Sequence, residues 1–130
     1  MFTVKSIDHI VLRTNHIDKM IGFYCNILGG KIEKRQAIIG LTQIRMGEHL
    51  IDLVEVDSPL NLGNQNLDHL CLRIHPFDLE PIIKYFRHHN IKIHDQGIRD
   101  GSQGRGYSVS IKDPEGNGIE LREAKENIIA

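Results

Sequence analysis

Two stretches of this chain nearly repeat one another: DHIVLRT at residues 8 to 14 and DHLCLRI at residues 68 to 74. Each carries an Asp-His pair, a leucine three positions after the histidine, and an arginine directly after that leucine. A second pair, IDLVEV at 51 to 56 and IELREA at 119 to 124, sets a carboxylate between two aliphatic residues both times. Both pairs are offset by roughly sixty residues, the second by a few more, and near-constant spacing of this kind is the mark of an internal duplication. A duplicated chain folds as two copies of one unit, and this constraint outranks any local propensity. At 130 residues the chain holds one domain, or two half-domains sharing a core.

The unit can be read from the first copy. In IDHIVLRTN the alternation sends Ile10 and Leu12 to one face of a strand and His9, Val11 and Arg13 to the other. Met20, Ile21, Phe23, Tyr24, Ile27 and Leu28 then recur at helical spacing until Gly29 and Gly30 stop the helix. KIEKRQAI, LTQIRM and HLIDLVEV, separated by turns at Gly40 and Gly47, read as three strands of a meander. DSPLNLGNQNL, rich in Pro, Gly, Asn and Ser, is the linker. The second copy repeats the order: strand DHLCLRI, a helix from near Phe77 to Asn90, then strands IKIHDQGI, YSVSIKD and GIELREA, with a polar tail after Glu123 expected to fray. The expected fold is α+β: two tandem βαβββ modules forming a curved, cup-shaped mixed sheet with helices on its outer face. The whole chain, 1–130, is expected to be a single domain, with module one at about 5–57, the linker at about 58–66 and module two at about 67–124.

Charge and cysteine content narrow the function. With 16 basic and 17 acidic side chains the net charge is −1, and no run of like charge marks a nucleic-acid or anionic-membrane surface. No apolar stretch reaches the length of a membrane span, and MFTVKSIDHI lacks the regions of a signal peptide, so a cytoplasmic protein is expected. Cys25 and Cys71 are too few for a disulfide framework and are expected as reduced, buried thiols. Of the eight histidines, His16, His49, His75, His88, His89 and His94 have no matched partner and receive no function.

Strand parity selects the rest. Ile10 and Leu12, Ile51 and Leu53, Leu70 and Leu72, and Ile119 and Leu121 share the apolar side of their strands, which leaves His9, Asp52, His69 and Glu120 on the opposite side. If the two copies come together about a pseudo-two-fold axis, two imidazoles and two carboxylates meet. These are ligands for a divalent ion, Zn²⁺, Ni²⁺, Fe²⁺, Mn²⁺ or Co²⁺, and two His with one carboxylate leave positions open for substrate or water. Arg13 and Arg73, four residues after each His, fall on the same side and suit a substrate carboxylate or phosphate. The RDGSQGRG loop, with Arg99, Ser102, Arg105 and then Tyr107, is either a plain connection or a cover for the same mouth.

The duplicated βαβββ unit, with His9 and His69 near the starts of strands one and five, Phe23-Tyr24 with Leu28-Gly29, and Asp113-Pro114 with Gly116-Asn117 before Ile119-Glu120-Leu121, resembles the vicinal oxygen chelate superfamily. That superfamily includes glyoxalase I, fosfomycin-resistance transferases, extradiol dioxygenases and bleomycin-binding proteins. RDGSQG followed by YSVSIKDPEGN is most similar to the glyoxalase-domain-containing-protein-5-like group. The resemblance implies that His9, His69 and Glu120 hold the metal. Asp52 stands where glyoxalase I has its second carboxylate, usually Glu, and is one methylene shorter, which leaves it as a ligand, an outer-shell group or a base. It also implies bidentate chelation of two adjacent oxygens of a small-molecule substrate. Glu120 and Asp52 are then the expected catalytic carboxylates, and Arg13 and Arg73, by strand parity, with Arg105 and Tyr107, from the loop, are the expected substrate-binding residues. Lyase or isomerase chemistry of the glyoxalase type leads, with an Fe²⁺ extradiol dioxygenase or a metal-free ligand-sequestering protein as alternatives. A homodimer is expected, the modules closing within one chain or across two.

Overall fold

A computed structural model describes residues 1–61 and 67–125. The chain divides into two compact units, 1–63 and 64–130, and each is a βαβββ module. In the first, strand β1 (His9–Thr14) leads into helix α1 (Ile17–Ile21) and a wider π-helical turn (Gly22–Ile27), then β2 (Lys31–Gln36), β3 (Leu41–Met46) and β4 (His49–Glu55). In the second, β5 (His69–Ile74) is followed by α2 (Leu79–His88), β6 (Asp95–Arg99), β7 (Gly106–Lys112) and β8 (Gly118–Glu123). The expected tandem modules are therefore present, and each forms its own four-stranded mixed sheet, in the orders β1-β4-β3-β2 and β5-β8-β7-β6.

The duplication extends to register. The first strand of each module lies parallel to the last, and Val11 faces Asp52 as Cys71 faces Glu120. Leu12 faces Leu53 as Leu72 faces Leu121. The remaining pairings are antiparallel, as short meander turns require.

Parity sorts the core as expected. Ile51, Leu53, Ile119 and Leu121 are buried, joined in the first module by Ile44, Met20, Phe23 and Tyr24 and in the second by Val109, Ile111 and Phe86. The expected single helix of the first module is instead a short α-helix continued by π-helical turns, where Leu28 N–H donates to Phe23 O at 3.0 Å. Widened turns narrow the angle between successive side chains, and the consecutive Phe23 and Tyr24 are both buried. Their rings meet edge to face at 5.0 Å. The helix of module two is shorter than its periodicity suggests. Asp78 is its extended N-cap, and Asn90, at φ 58°, turns the chain away two residues past its end. The strand expected from Ile91 begins only at Asp95.

Two expectations are corrected. Both cysteines are free, but Cys71 is exposed and Cys25 only partly covered, because strand alternation carries Cys71 to the side opposite Leu70 and Leu72. The chain after Glu123 does not fray at once: Ala124 N–H donates to Ile74 O at 2.9 Å, and Lys125 is bonded to Gln103. The tail from 126 onward and residues 62–66 of the linker lie outside the described residues.

Candidate metal-binding site

Each module carries one histidine and one carboxylate on the non-core side of its parallel strand pair. In module two, His69 opens β5 and Glu120 lies on the adjacent β8, where their side chains approach with Nε2 3.4 Å from Oε1. Glu120 is largely withdrawn from solvent and His69 is about half exposed. In module one, His9 opens β1, and Asp52 sits on the neighbouring β4, 5 % exposed. Asp52 Oδ2 accepts a long hydrogen bond from Gln43 Nε2 at 3.5 Å, while Oδ1 is buried with no hydrogen-bond partner. A buried carboxylate oxygen without a donor is costly, so this atom is suited to a proton or a cation.

The residue before each histidine completes the arrangement. Asp8 Oδ2 lies 2.7 Å from His9 Nδ1, and Asp68 Oδ2 lies 2.7 Å from His69 Nδ1. The carboxylate accepts a hydrogen bond from Nδ1–H, which favours that tautomer and leaves the Nε2 lone pair outward. At His9 the hydrogen bond donated to Asp8 raises the imidazole pKa above its ordinary value against partial desolvation, and the charges of Asp52 and Asp8 add to the rise. Neither aspartate was assigned a role from sequence, although their repetition in both copies was the available signal.

These residues fit a divalent ion. Two ligands each about 2.1 Å from one ion stand roughly 3.0–3.4 Å apart, the separation His69 and Glu120 already have. Among the described residues, neither module gathers three His, Cys, Asp or Glu side chains into a metal-ligand group; each supplies a pair.

Arg122 is a second residue that strand reading passed over. It is 6 % exposed on β8, its Nη1 is 3.7 Å from Glu120 Oε2, and its guanidinium reaches the 99–106 connection. Cys71 lies on the same side of the sheet, its thiol pushed up to about 11, first by burial and then by the charge of Glu120. Arg13 and Arg73 are exposed on the ligand-bearing sides of β1 and β5. Arg105 is ion-paired with Asp100 at 3.0 Å, and the half-buried Tyr107 faces Phe77 with ring centroids 6.4 Å apart. The six unmatched histidines are all exposed.

A doubled βαβββ fold with a histidine and a carboxylate on each copy sets the chain in a class built from two similar halves. Residues 6–121 match the Glyoxalase/Bleomycin resistance protein/Dioxygenase superfamily, and the chain belongs to that superfamily. It is 27 % identical over 124 residues to the glyoxalase domain-containing protein RDO1 of Mycosarcoma maydis, covering 92 % of this chain and 68 % of that one. Among solved structures it is similar to an integron cassette protein of V. cholerae, with TM-score 0.77, 26 % identity, and 96 % and 99 % of the two chains covered. It also shares the fold of FosX, a fosfomycin resistance protein of Listeria monocytogenes complexed with Mn(II) and 1S,2S-dihydroxypropylphosphonic acid. That likeness has TM-score 0.73, 18 % identity, and 95 % and 93 % coverage. No helix among the described residues is long and apolar enough to cross a membrane.

Proposed function

We propose that this chain is a metal-dependent enzyme of the glyoxalase type that acts on a small molecule by holding two adjacent oxygens, with lyase or isomerase chemistry. The observation that carries the reading is the approach of His69 Nε2 to Glu120 Oε1 at 3.4 Å, with Nδ1 of the same ring engaged by Asp68. Such a ring aims a lone pair, not a proton, at the carboxylate's neighbourhood, which favours a shared cation over a simple ion pair. His9 with Asp8 repeats the device in module one.

His9, His69 and Glu120 are the inferred ligands, each histidine backed by the aspartate that precedes it. The ion, when bound, supplies Lewis-acid polarisation of the substrate oxygens. Asp52 Oδ1, buried without a donor, serves either as a fourth ligand or as the base that takes a proton from substrate and returns it to a neighbouring atom. Arg13 and Arg73 orient an anionic substrate group by charge-assisted hydrogen bonds. Arg105 joins them only by exchanging Asp100 for substrate, and Tyr107 lines the rim. A homodimer and a cytoplasmic location belong to the same reading.

Metal analysis tests it. Protein stripped by chelator and titrated calorimetrically with Mn²⁺, Ni²⁺, Zn²⁺ and Fe²⁺ is expected to bind one ion per chain. Failure of every ion to bind stoichiometrically removes the metal-dependent reading and favours a ligand-sequestering protein. Oxygen uptake dependent on Fe²⁺ moves the chemistry to the dioxygenase class.

A further inference from the structure

The connection between β6 and β7 is built around a buried guanidinium. Arg122 donates from Nη1 to Asp100 O at 2.9 Å, and from Nη2 to Gly104 O at 2.9 Å and Arg99 O at 3.2 Å. Its Nη1 also lies 3.7 Å from Glu120 Oε2, the carboxylate oxygen turned away from His69. Both side chains are mostly withdrawn from solvent, where an ion pair is screened far less than at the surface. The loop's composition follows from this occupant. A side chain at Gly101 would place its Cβ against the Arg122 guanidinium, and at Gly106 it would stand 3.2 Å from Nη2. Lys125 fastens the same loop from the next turn of chain, donating from Nζ to Gln103 O at 3.1 Å and to Arg105 O at 3.0 Å. The RDGSQGRG segment is therefore strapped to β8 and is not a loose connection.

We propose that Arg122 is a positioning residue that joins the Glu120 carboxylate to the 99–106 loop, so that the aim of Glu120 and the order of the loop rise and fall together. One planar cation serves both: the fork that satisfies three loop carbonyls also fixes Glu120 Oε2, leaving Oε1 pointed at His69. A residue that only filled space under the loop would have no need of charge, and one that only neutralised Glu120 would have no need of three carbonyls. The consequence for metal affinity rests on the proposed function; the coupling itself does not.

The test is amide hydrogen exchange and Mn²⁺ titration on the full chain. In metal-free protein, Glu120→Gln is expected to raise exchange at residues 100–104 by about threefold or more, although Glu120 has no hydrogen bond to 100–104 among the described residues and reaches Arg99 only through charge. Arg122→Gln is expected to loosen the same amides and to weaken Mn²⁺ binding by about tenfold, the usual loss when a ligand's outer partner is removed. Arg122→Lys keeps the charge without the planar fork and is expected to recover part of the Mn²⁺ affinity. Unchanged loop exchange in Glu120→Gln overturns the proposal, as does wild-type Mn²⁺ affinity in Arg122→Gln with a loosened loop. If wild-type protein takes up none of Mn²⁺, Ni²⁺, Zn²⁺ and Fe²⁺, the metal reading fails alone, and the exchange comparison still decides the coupling.

Discussion

Asp68 pairs with the ring beside it, and through that bond it decides which imidazole nitrogen faces outward. Its side chain is almost fully exposed, so its pairing with His69 adds little to stability. Its effect belongs to orientation. Asp68→Asn is expected to leave thermal unfolding within about 0.5 kcal/mol of wild type while lowering metal affinity by about tenfold. Calorimetric titration beside a melting curve separates the two. Asp95 behaves oppositely, its interest lying in proton linkage. The hydrogen bond from Arg99, at 2.8 Å, holds the Asp95 carboxyl below its ordinary value, with the guanidinium charge adding to it. A lowered folded pKa stabilises the fold above the ordinary carboxylate range and ceases to do so as pH falls through the lowered value. Asp95→Asn is therefore expected to flatten the stability–pH curve on its acid limb, and an NMR titration of Asp95 to show a midpoint below that of a free aspartate.

At the scale of elements, the strand pair β5–β8 aims His69, and its tolerance is small. Gly118 pairs with His69 in register, and a Cβ there would stand 2.8 Å from both Asp68 O and His69 Cβ. Backbone oxygen cannot swing aside as a long side chain can. Gly118→Ala is expected to cost roughly 1–3 kcal/mol in urea denaturation and to displace His69 from Glu120, weakening metal uptake as well. The strands were legible in the sequence because alternation of aliphatic and polar residues is a strand's direct imprint, and the equal register of β1–β4 and β5–β8 follows from matched leucines. The π-helical turn was not legible, since its hydrophobic spacing differs little from that of an α-helix over six residues. Arg122 was missed for a related reason: its partner in register is Arg73, whereas the equivalent position in module one is Val54, facing Arg13. Duplication draws attention to what recurs and conceals what only one copy has acquired.

Across the whole molecule, the proposed ligand set makes a prediction about counting. If His9 and His69 serve one ion, as proposed, His9→Ala and His69→Ala each abolish the single binding event seen by titration, and the double substitution removes nothing more. Two ions per chain, with each substitution deleting one, would sink the shared-ion reading while leaving the fold untouched. The sequence singled out His9, Asp52, His69 and Glu120 because parity and repetition both pointed to them, and these remain the proposed set. It left unread what surrounds them, the aspartates at Nδ1 and the guanidinium behind Glu120, because outer contacts depend on side-chain conformations that no periodicity encodes.

The pairing of first strand with last has a consequence for how the chain is born. His9–Thr14 has a single neighbour in its sheet, and that neighbour is made some forty residues later. As the polypeptide leaves the ribosome, the opening strand of each half must wait, its backbone donors bare, until the closing strand emerges; only then does the histidine-bearing strand gain the neighbour that carries Asp52 or Glu120. Chains released before His49 would leave both edges of that strand bare and are expected to clump, whereas release after the first half is complete leaves it paired along one edge with β4.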